Sequence, residues 1–358
     1  MEKGQMFAVL AVVIIAAAGI GGGIYYFTKD KGNDGPTETT VTDSVGNVID
    51  ITKEYNKIAS TTAVGTEVVC DLGLRSSLVG VTNSAHIYDM TTHVNGINLE
   101  FDYPATIAAD IAGGKLVAYG WSWSTEQVAS SNPDLVILDP SSVAASDEKM
   151  KQLQALGITC VVIYDGDEWE AIKNNYTILG KILHKQSRAT EIYNAAVAAD
   201  QKIMDKFNGQ TSKKIGYVCY CWGSYYIYNT SGFMDAALRL GCTNALPSAT
   251  TTTITAEQLA AADIDYLFFD DMGTSLNWSE VITGWKADPV MSTVSAIAND
   301  NFYCMEATPF QATSYPTIHY VMGEGLVATM IYPTVVGVSI PNVITDANYV
   351  GYLSWMDA

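Results

Sequence analysis

Two eighteen-residue segments of the chain align without a gap, and this internal repeat constrains the fold more than any other feature: residues 122–139 read SWSTEQVASSNPDLVILD and residues 253–270 read TITAEQLAAADIDYLFFD. In each, a hydroxyl residue, Ser124 or Thr255, stands three positions before a glutamine. That is the spacing of a capping box, in which side chain and backbone at a helix start satisfy each other. In each, an aspartate, Asp134 or Asp265, then leads into an apolar run. A helix feeding a strand, written twice, points to two copies of one α/β unit.

The flanking sequence supplies the rest of both units. Residues 57–61, 78–81, 135–138 and 160–164 are short apolar runs that read as strands, separated by helical patterns at 66–72 and 149–156 that end at Gly73 and Gly157. The second half restarts with strands at 214–220 and 266–269 around a helix at 232–240 closed by Gly241. Strands alternating with helices imply parallel sheets. Between the halves, residues 168–207 read as helix, broken near 184–187, with Ser187 as the cap of the second piece.

Ahead of the first unit, residues 6–27 carry no charge over 22 positions. As a helix this is roughly 33 Å, against a hydrocarbon core of about 30 Å. An uncleaved anchor is expected, because the apolar run continues past the small-residue triplet Ala16, Ala17, Ala18 that would serve a cleaved signal peptide. No cysteine precedes Cys70, so lipid attachment at an N-terminal cysteine is not expected. Residues 29–40, rich in Gly, Asn, Asp, Pro and Thr, read as a tether. The expected organisation is therefore anchor 1–28, tether 29–40, first lobe 41–186, interlobe helix 187–208 and second lobe 209–358.

Charge narrows the partners. Acids outnumber bases 38 to 19, a formal net charge of -19 that repels phosphate backbones and disfavours nucleic acid. The six cysteines lack the paired CxxC spacing of a zinc site and read as buried small side chains. Cys219 and Cys221 would share one strand face, with a disulfide to Cys242 the alternative weighed. No GxSxG, HExxH, Walker A or dinucleotide glycine motif is present, so enzyme chemistry is not expected.

With these pieces in order, the chain resembles the ABC importer substrate-binding proteins for iron complexes (siderophores), vitamin B12 and haem. The carriers are VTDSVGNVIDI at 41–51, the TE, LGL and LVGVT pieces within 66–82, STEQVASSNPDLVIL at 124–138, LQALGITCVVI at 153–163, LGKILHKQSRATEIY at 179–193 and TAEQLAAADIDYLFF at 255–269. The resemblance implies an α/β fold of two Rossmann-like lobes joined by one long helix, here behind an N-terminal transmembrane helix. It also implies that a surface glutamate on each lobe docks to basic residues of the permease, and the matching positions are Glu126 and Glu257. The implied partners are an ABC permease with its ATPase and a small-molecule metal chelate; no intrinsic cofactor is implied.

In open α/β sheets ligands bind beyond the carboxyl ends of the strands. The loops expected there are aromatic: Tyr119, Trp121 and Trp123 in one, Trp222, Tyr225 and Tyr226 in another, then Met272, and finally Phe310 and Tyr315. The expected ligand set is Trp121, Trp123, Trp222, Tyr225, His86, Met272 and Tyr315, with Trp121 and Trp222 as facing walls and Tyr226 and Phe310 assigned to packing. Only three arginines, Arg75, Arg188 and Arg239, are available, which disfavours a highly anionic catecholate complex. A hydroxamate siderophore, a corrinoid or a haem fits better, with His86 or His93 as an axial ligand to the metal. Two alternatives stand beside this reading: capture of a bare Zn, Mn or Fe ion by His86, His93 and His319 with a carboxylate, and a surface sensory or adhesion module on the same fold.

Overall fold

The structure is a computed structural model that describes residues 38–82, 105–120, 122–140, 147–164, 168–227, 231–246, 253–272 and 274–357. The expected anchor and most of the tether lie outside these residues; among the described residues, no helix is long and apolar enough to cross a membrane.

The first lobe opens with a hairpin, β1 (Thr40–Thr42) and β2 (Val48–Asp50), turned by Asp43. The Asp43 carboxylate accepts the N–H groups of Val45 and Asn47 and, with its other oxygen, that of Val162 at 2.8 Å, so one side chain shapes the turn and fastens it to the sheet. There follow β3 (Ile58–Ser60), α1 (Ala63–Asp71), β4 (Leu78–Thr82), α2 (Ala105–Ala112), β5 (Val117–Tyr119), α3 (Thr125–Ser130), β6 (Leu135–Leu138), α4 (Asp147–Ala155) and β7 (Thr159–Val162). The strands form an all-parallel sheet in the order β5-β4-β3-β6-β7. Helices cover both faces, which is why β6 reads Leu-Val-Ile-Leu with every side chain buried instead of alternating.

Two helices follow, α5 (Glu168–Ile182) and α6 (Gln186–Phe207). The break falls where expected, but its cap does not: Ser187 lies inside α6, the residue before the helix is Lys185, and no side chain caps it. His184 turns the corner with φ +54. Gly180 lets the two helices meet there, since a Cβ at that position would come within 2.8 Å of the Ala189 Cβ. The 22 residues of α6 span roughly 33 Å.

The second lobe contains β8 (Lys214–Cys221), β9 (Ser224–Ile227), α7 (Gly232–Arg239), β10 (Thr243–Asn244), β11 (Thr253–Ile254), α8 (Ala256–Ala261), β12 (Tyr266–Asp270), α9 (Trp278–Ala287), α10 (Ser295–Ala298) and β13 (Phe302–Met305). The chain then returns through α11 (Ala307–Ser314), α12 (Tyr320–Ile331), α13 (Pro333–Val336) and β14 (Val343–Ile344). The sheet order is β11-β9-β8-β12-β13-β14, with β10 pairing the start of β8. The repeat is visible in the geometry. Asp134 accepts the backbone N–H groups of Asn56 and Lys57, just ahead of β3. Asp265 accepts that of Lys214, at the start of β8. Each lobe thus ties the strand after its capping-box helix to the first strand of its sheet through the same aspartate.

One element departs from the repeat. The aromatic stretch after β8, expected to be a loop, is a hairpin: β9 runs antiparallel to β8, with Cys221 opposite Ser224 and only Trp222 and Gly223 between them. The thiols of Cys219 and Cys221 lie together at 3.2 Å, while Cys242 contacts the Tyr332 hydroxyl at 3.4 Å; all six cysteines are free and buried, so the bridge to Cys242 is corrected to a packing contact.

Candidate functional site

In both sheets the strand order reverses direction at one point, between β3 and β6 in the first lobe and between β8 and β12 in the second. Crevices open beyond the carboxyl ends of strands at such points. On the second lobe that rim carries Trp222, after β8, and Met272, after β12. They are 76% and 50% exposed, and both adopt φ +51. Positive φ is unfavourable for a bulky side chain. At Trp222 it is imposed by the two-residue turn, since Gly223 also has positive φ (+73) and paired positive φ values match the twist of hairpin strands. At Met272 it accompanies a tight bend in which the Met272 N–H donates to Asp270 Oδ1 at 2.8 Å. Two large apolar side chains are thus held in water at the ends of neighbouring strands.

The other expected ligand residues separate. Trp123 is 4% exposed and belongs to the core beneath α3; Lys149 lies 4.5 Å over its ring and donates to its carbonyl at 2.8 Å. It is a packing residue, because its ring is enclosed by its own lobe. Tyr119 is likewise buried, its hydroxyl 2.6 Å from Ser131. Tyr225 stands on β9, half-buried against Tyr220, Phe269 and Trp285, and supports the hairpin that presents Trp222. Tyr315 caps the end of α11 between the lobes: burial raises its hydroxyl pKa, and the charges of Asp139, just after β6, and of Glu67 act in the same direction. Trp121, His86 and His93 lie outside the described residues. All three arginines are engaged in ion pairs: Arg75 with Asp110, Arg188 with Glu191, and Arg239 with Asp200 and Glu324.

Glu126 and Glu257 occupy equivalent positions. Each is exposed and second in its helix, behind a complete capping box formed by Ser124 with Gln127 or by Thr255 with Gln258. The helix dipole favours a carboxylate at this position. Hydrogen bonds from its own N–H and from the hydroxyls of Ser124 and Thr125 hold the Glu126 carboxyl below the usual range, so it stays charged.

Beneath the rim, Asp270 is fully buried, and burial pushes its carboxyl up to about 7 against the Met272 N–H, Tyr217 and Cys219, which hold it down. The folded state therefore keeps a proton that the unfolded chain loses near pH 3.8. Stability from this group is complete below that pH, declines as pH rises, and is lost above about 7. Asp270→Asn keeps an oxygen for Met272 and removes the buried charge. It is expected to raise stability at pH 8, by at most ~4 kcal/mol, and to flatten the pH profile between 4 and 7 in urea titrations. A variant no more stable than the parent at pH 8 would refute this account.

A second polar group was not anticipated as a unit. Glu67 and Asp71, one turn apart on α1, converge with His319, the residue before α12, and all three are at most 3% exposed. His319 Nδ1 pairs with Glu67, and the Tyr176 hydroxyl donates to Asp71. Burial and Glu67 push the Asp71 carboxyl up to about 7, with His319, Tyr176 and Arg188 opposing. The i, i+4 spacing of two acids within an apolar helix was the available signal. Their partner is more than two hundred residues away in sequence. His319 is therefore a buried core residue paired with α1, while His86 and His93, grouped with it in the bare-ion alternative, lie outside the described residues.

Several known proteins are similar to this chain. An ABC transporter substrate-binding lipoprotein of Bacillus subtilis (strain 168), YvrC, itself uncharacterized, is 24% identical over 208 residues. The alignment covers 57% of this chain and 59% of that protein's length. A periplasmic heme binding protein from Pseudomonas aeruginosa superposes with a TM-score of 0.62 at 18% identity, over 78% of this chain and 94% of its own. The petrobactin-binding protein YclQ from Bacillus subtilis gives 0.62 at 14% identity, over 83% and 98%. At these identities the superpositions establish the two-lobed fold. The family model described as periplasmic binding protein matches residues 58–309, from the first strand of the first sheet into α11 and across both switch points, and the chain belongs to that family.

Proposed function

We propose that this chain is the solute-binding component of an ABC importer, held at the outer face of the membrane by residues 6–27. It captures a metal chelate of low charge, a ferric hydroxamate siderophore, a corrinoid or a haem, and hands it unchanged to the permease. The observation that carries the reading is the pair of exposed apolar side chains, Trp222 and Met272, at the switch point of the second lobe. An apolar rim recognises a large, flat or greasy ligand surface. The engagement of every arginine in an ion pair leaves no cluster of guanidinium groups to clamp a highly anionic complex. Trp121 of the first lobe completes the clamp, Tyr315 and Met272 line it, and His86 or His93 supplies an axial bond where the metal accepts one. Glu126 and Glu257 dock the loaded protein to the permease.

The absorbance spectrum of protein purified from its source, with titrations of haem, a cobalamin and a ferric hydroxamate into the stripped chain, tests the reading. One of the three is expected to bind at one per chain. Trp222→Ala should weaken that ligand ~30-fold, the loss of about 2 kcal/mol typical of a buried aromatic anchor. Parental affinity in Trp222→Ala, with a large loss in His86→Ala or His93→Ala toward free Zn²⁺, would replace chelate capture by bare-ion capture.

A further inference from the structure

We infer that Glu67, Asp71 and His319 form a structural binding site for one divalent cation, zinc or manganese, that fastens α1 of the first lobe to the start of α12. The inference is independent of what the cleft binds. One atom from each side chain, two carboxylate oxygens and an imidazole nitrogen, lies within 4.8 Å of the others. Metal–ligand bonds of ~2.0–2.2 Å separate the donors of one ion by about 3.4 Å in a tetrahedral site, so small side-chain rotations within this enclosure suffice.

The chemistry of the donors agrees. Carboxylate oxygen with imidazole nitrogen suits zinc or manganese, not a thiophilic ion. A divalent cation balances both carboxylates with the imidazole neutral, whereas an imidazolium balances only one. Other groups pack around the trio. Tyr176 of α5 donates to Asp71 and in turn accepts the Ile318 N–H at 3.4 Å, which fixes the carboxylate against the loop that carries His319. Such outer partners orient the ligands of a metal site. Arg188 of α6 acts on Asp71 from outside, with its Nε toward the Asp71 carbonyl at 3.4 Å and its guanidinium paired with Glu191. Tyr315 and Tyr349 of the C-terminal segment feel the Glu67 charge, which adds to burial in raising their hydroxyl pKa values. With each ligand at most 3% exposed, this is an enclosed fastening point and not the place where cargo is exchanged.

The test uses the full chain in detergent, stripped with a chelator and then given Zn²⁺ or Mn²⁺ alone. One ion per chain should be retained after desalting, and the melting temperature should rise by about 5 °C or more. Glu67→Gln and His319→Gln should each cut retention at least tenfold, while the double variant His86→Ala, His93→Ala keeps it. If the stripped parent neither retains an ion nor melts higher with one, the trio is a protonated ion-pair network and the inference fails. Retention that disappears only in the His86, His93 variant would overturn it as well, by placing the ion in the cleft. The parent's own metal response decides the matter even if the Glu67 variant does not fold, and chelate binding is measured separately.

Discussion

Reversing both exposed glutamates, Glu126→Lys together with Glu257→Lys, is expected to reduce uptake by more than 100-fold while leaving ligand affinity within about twofold. Both carboxylates project from first helical turns of matching elements in the two lobes, and both are exposed. Exposed charges of this kind govern encounter and register with a partner more than the stability of their own fold. In the proposed docking, each reversal would convert an attraction to a permease cation into a repulsion, and two such changes about a shared docking geometry multiply. The folded protein should tolerate them, because Gln127 and Gln258 still close their capping boxes. Uptake in cells and equilibrium titration of the purified variant measure the two quantities separately. Normal uptake in the double variant would remove these residues from docking. A parallel loss of affinity would move them to the ligand.

The largest stability effect should come from Arg239→Leu, a loss of ~3–5 kcal/mol, the range for a buried ion network deprived of one partner. Arg239 on α7 holds both oxygens of Asp200 on α6, at 2.7 and 2.8 Å, and also Glu324 on α12. Glu324 is fully buried, accepts the Trp169 indole N–H of α5 at 3.1 Å and leaves its second oxygen without a protein partner. Removing the cation strands two carboxylates among four helices. Burial already pushes the Glu324 carboxyl well above the usual range, so a proton can substitute for part of the lost charge, and the deficit should shrink from pH 8 to pH 5. The double replacement Arg239→Leu with Glu324→Leu should recover much of the loss, since it removes the charge that was stranded. Urea unfolding of the three variants measures the cycle, and a single-variant loss below ~1 kcal/mol would show that the network contributes little.

The parts of this fold that were legible in the sequence are those written in local chemistry. Ser124 with Gln127, Thr255 with Gln258, and the aspartates leading into β6 and β12 each act within a few residues or at a strand's edge, and the capping boxes and aspartate contacts are formed in the structure. The hairpin at Trp222 was not legible, because Trp-Gly is not the usual signal for a turn with paired positive φ, and a run of aromatics serves loop and strand alike. Trp123 and Trp222 show the same ambiguity. Both are tryptophans near strand ends, yet one is enclosed beneath α3 and the other is held out in water, and only the third dimension separates them. The cap of α6 failed for a related reason: the chain turns at His184 and the helix begins at Gln186, which puts its cap position at Lys185, two residues before Ser187. Of the Glu67, Asp71 and His319 group only the two acids one turn apart were legible, since nothing in a linear pattern reports which distant histidine meets a helix face.

The largest hydrophobic core is not divided between the lobes. It runs from Ile58 and Val68 of the first sheet and helix, through Tyr176 and Ile192, to Phe268 of the second sheet and to Leu326 and Ile331 of α12. Each lobe has a smaller interior of its own, around Trp123 in the first and Trp285 in the second, but the largest one is shared. During synthesis, when the polypeptide emerges from its N-terminal end, the first lobe would stand with its α1 and α5 faces uncovered until the segment around 317–331 arrives to cover them. Long-lived exposure of apolar surface is the condition under which emerging chains aggregate or are captured by chaperones and proteases. The final forty or so residues, though they lie past the matched family region, therefore set the moment at which the folding protein becomes resistant to both.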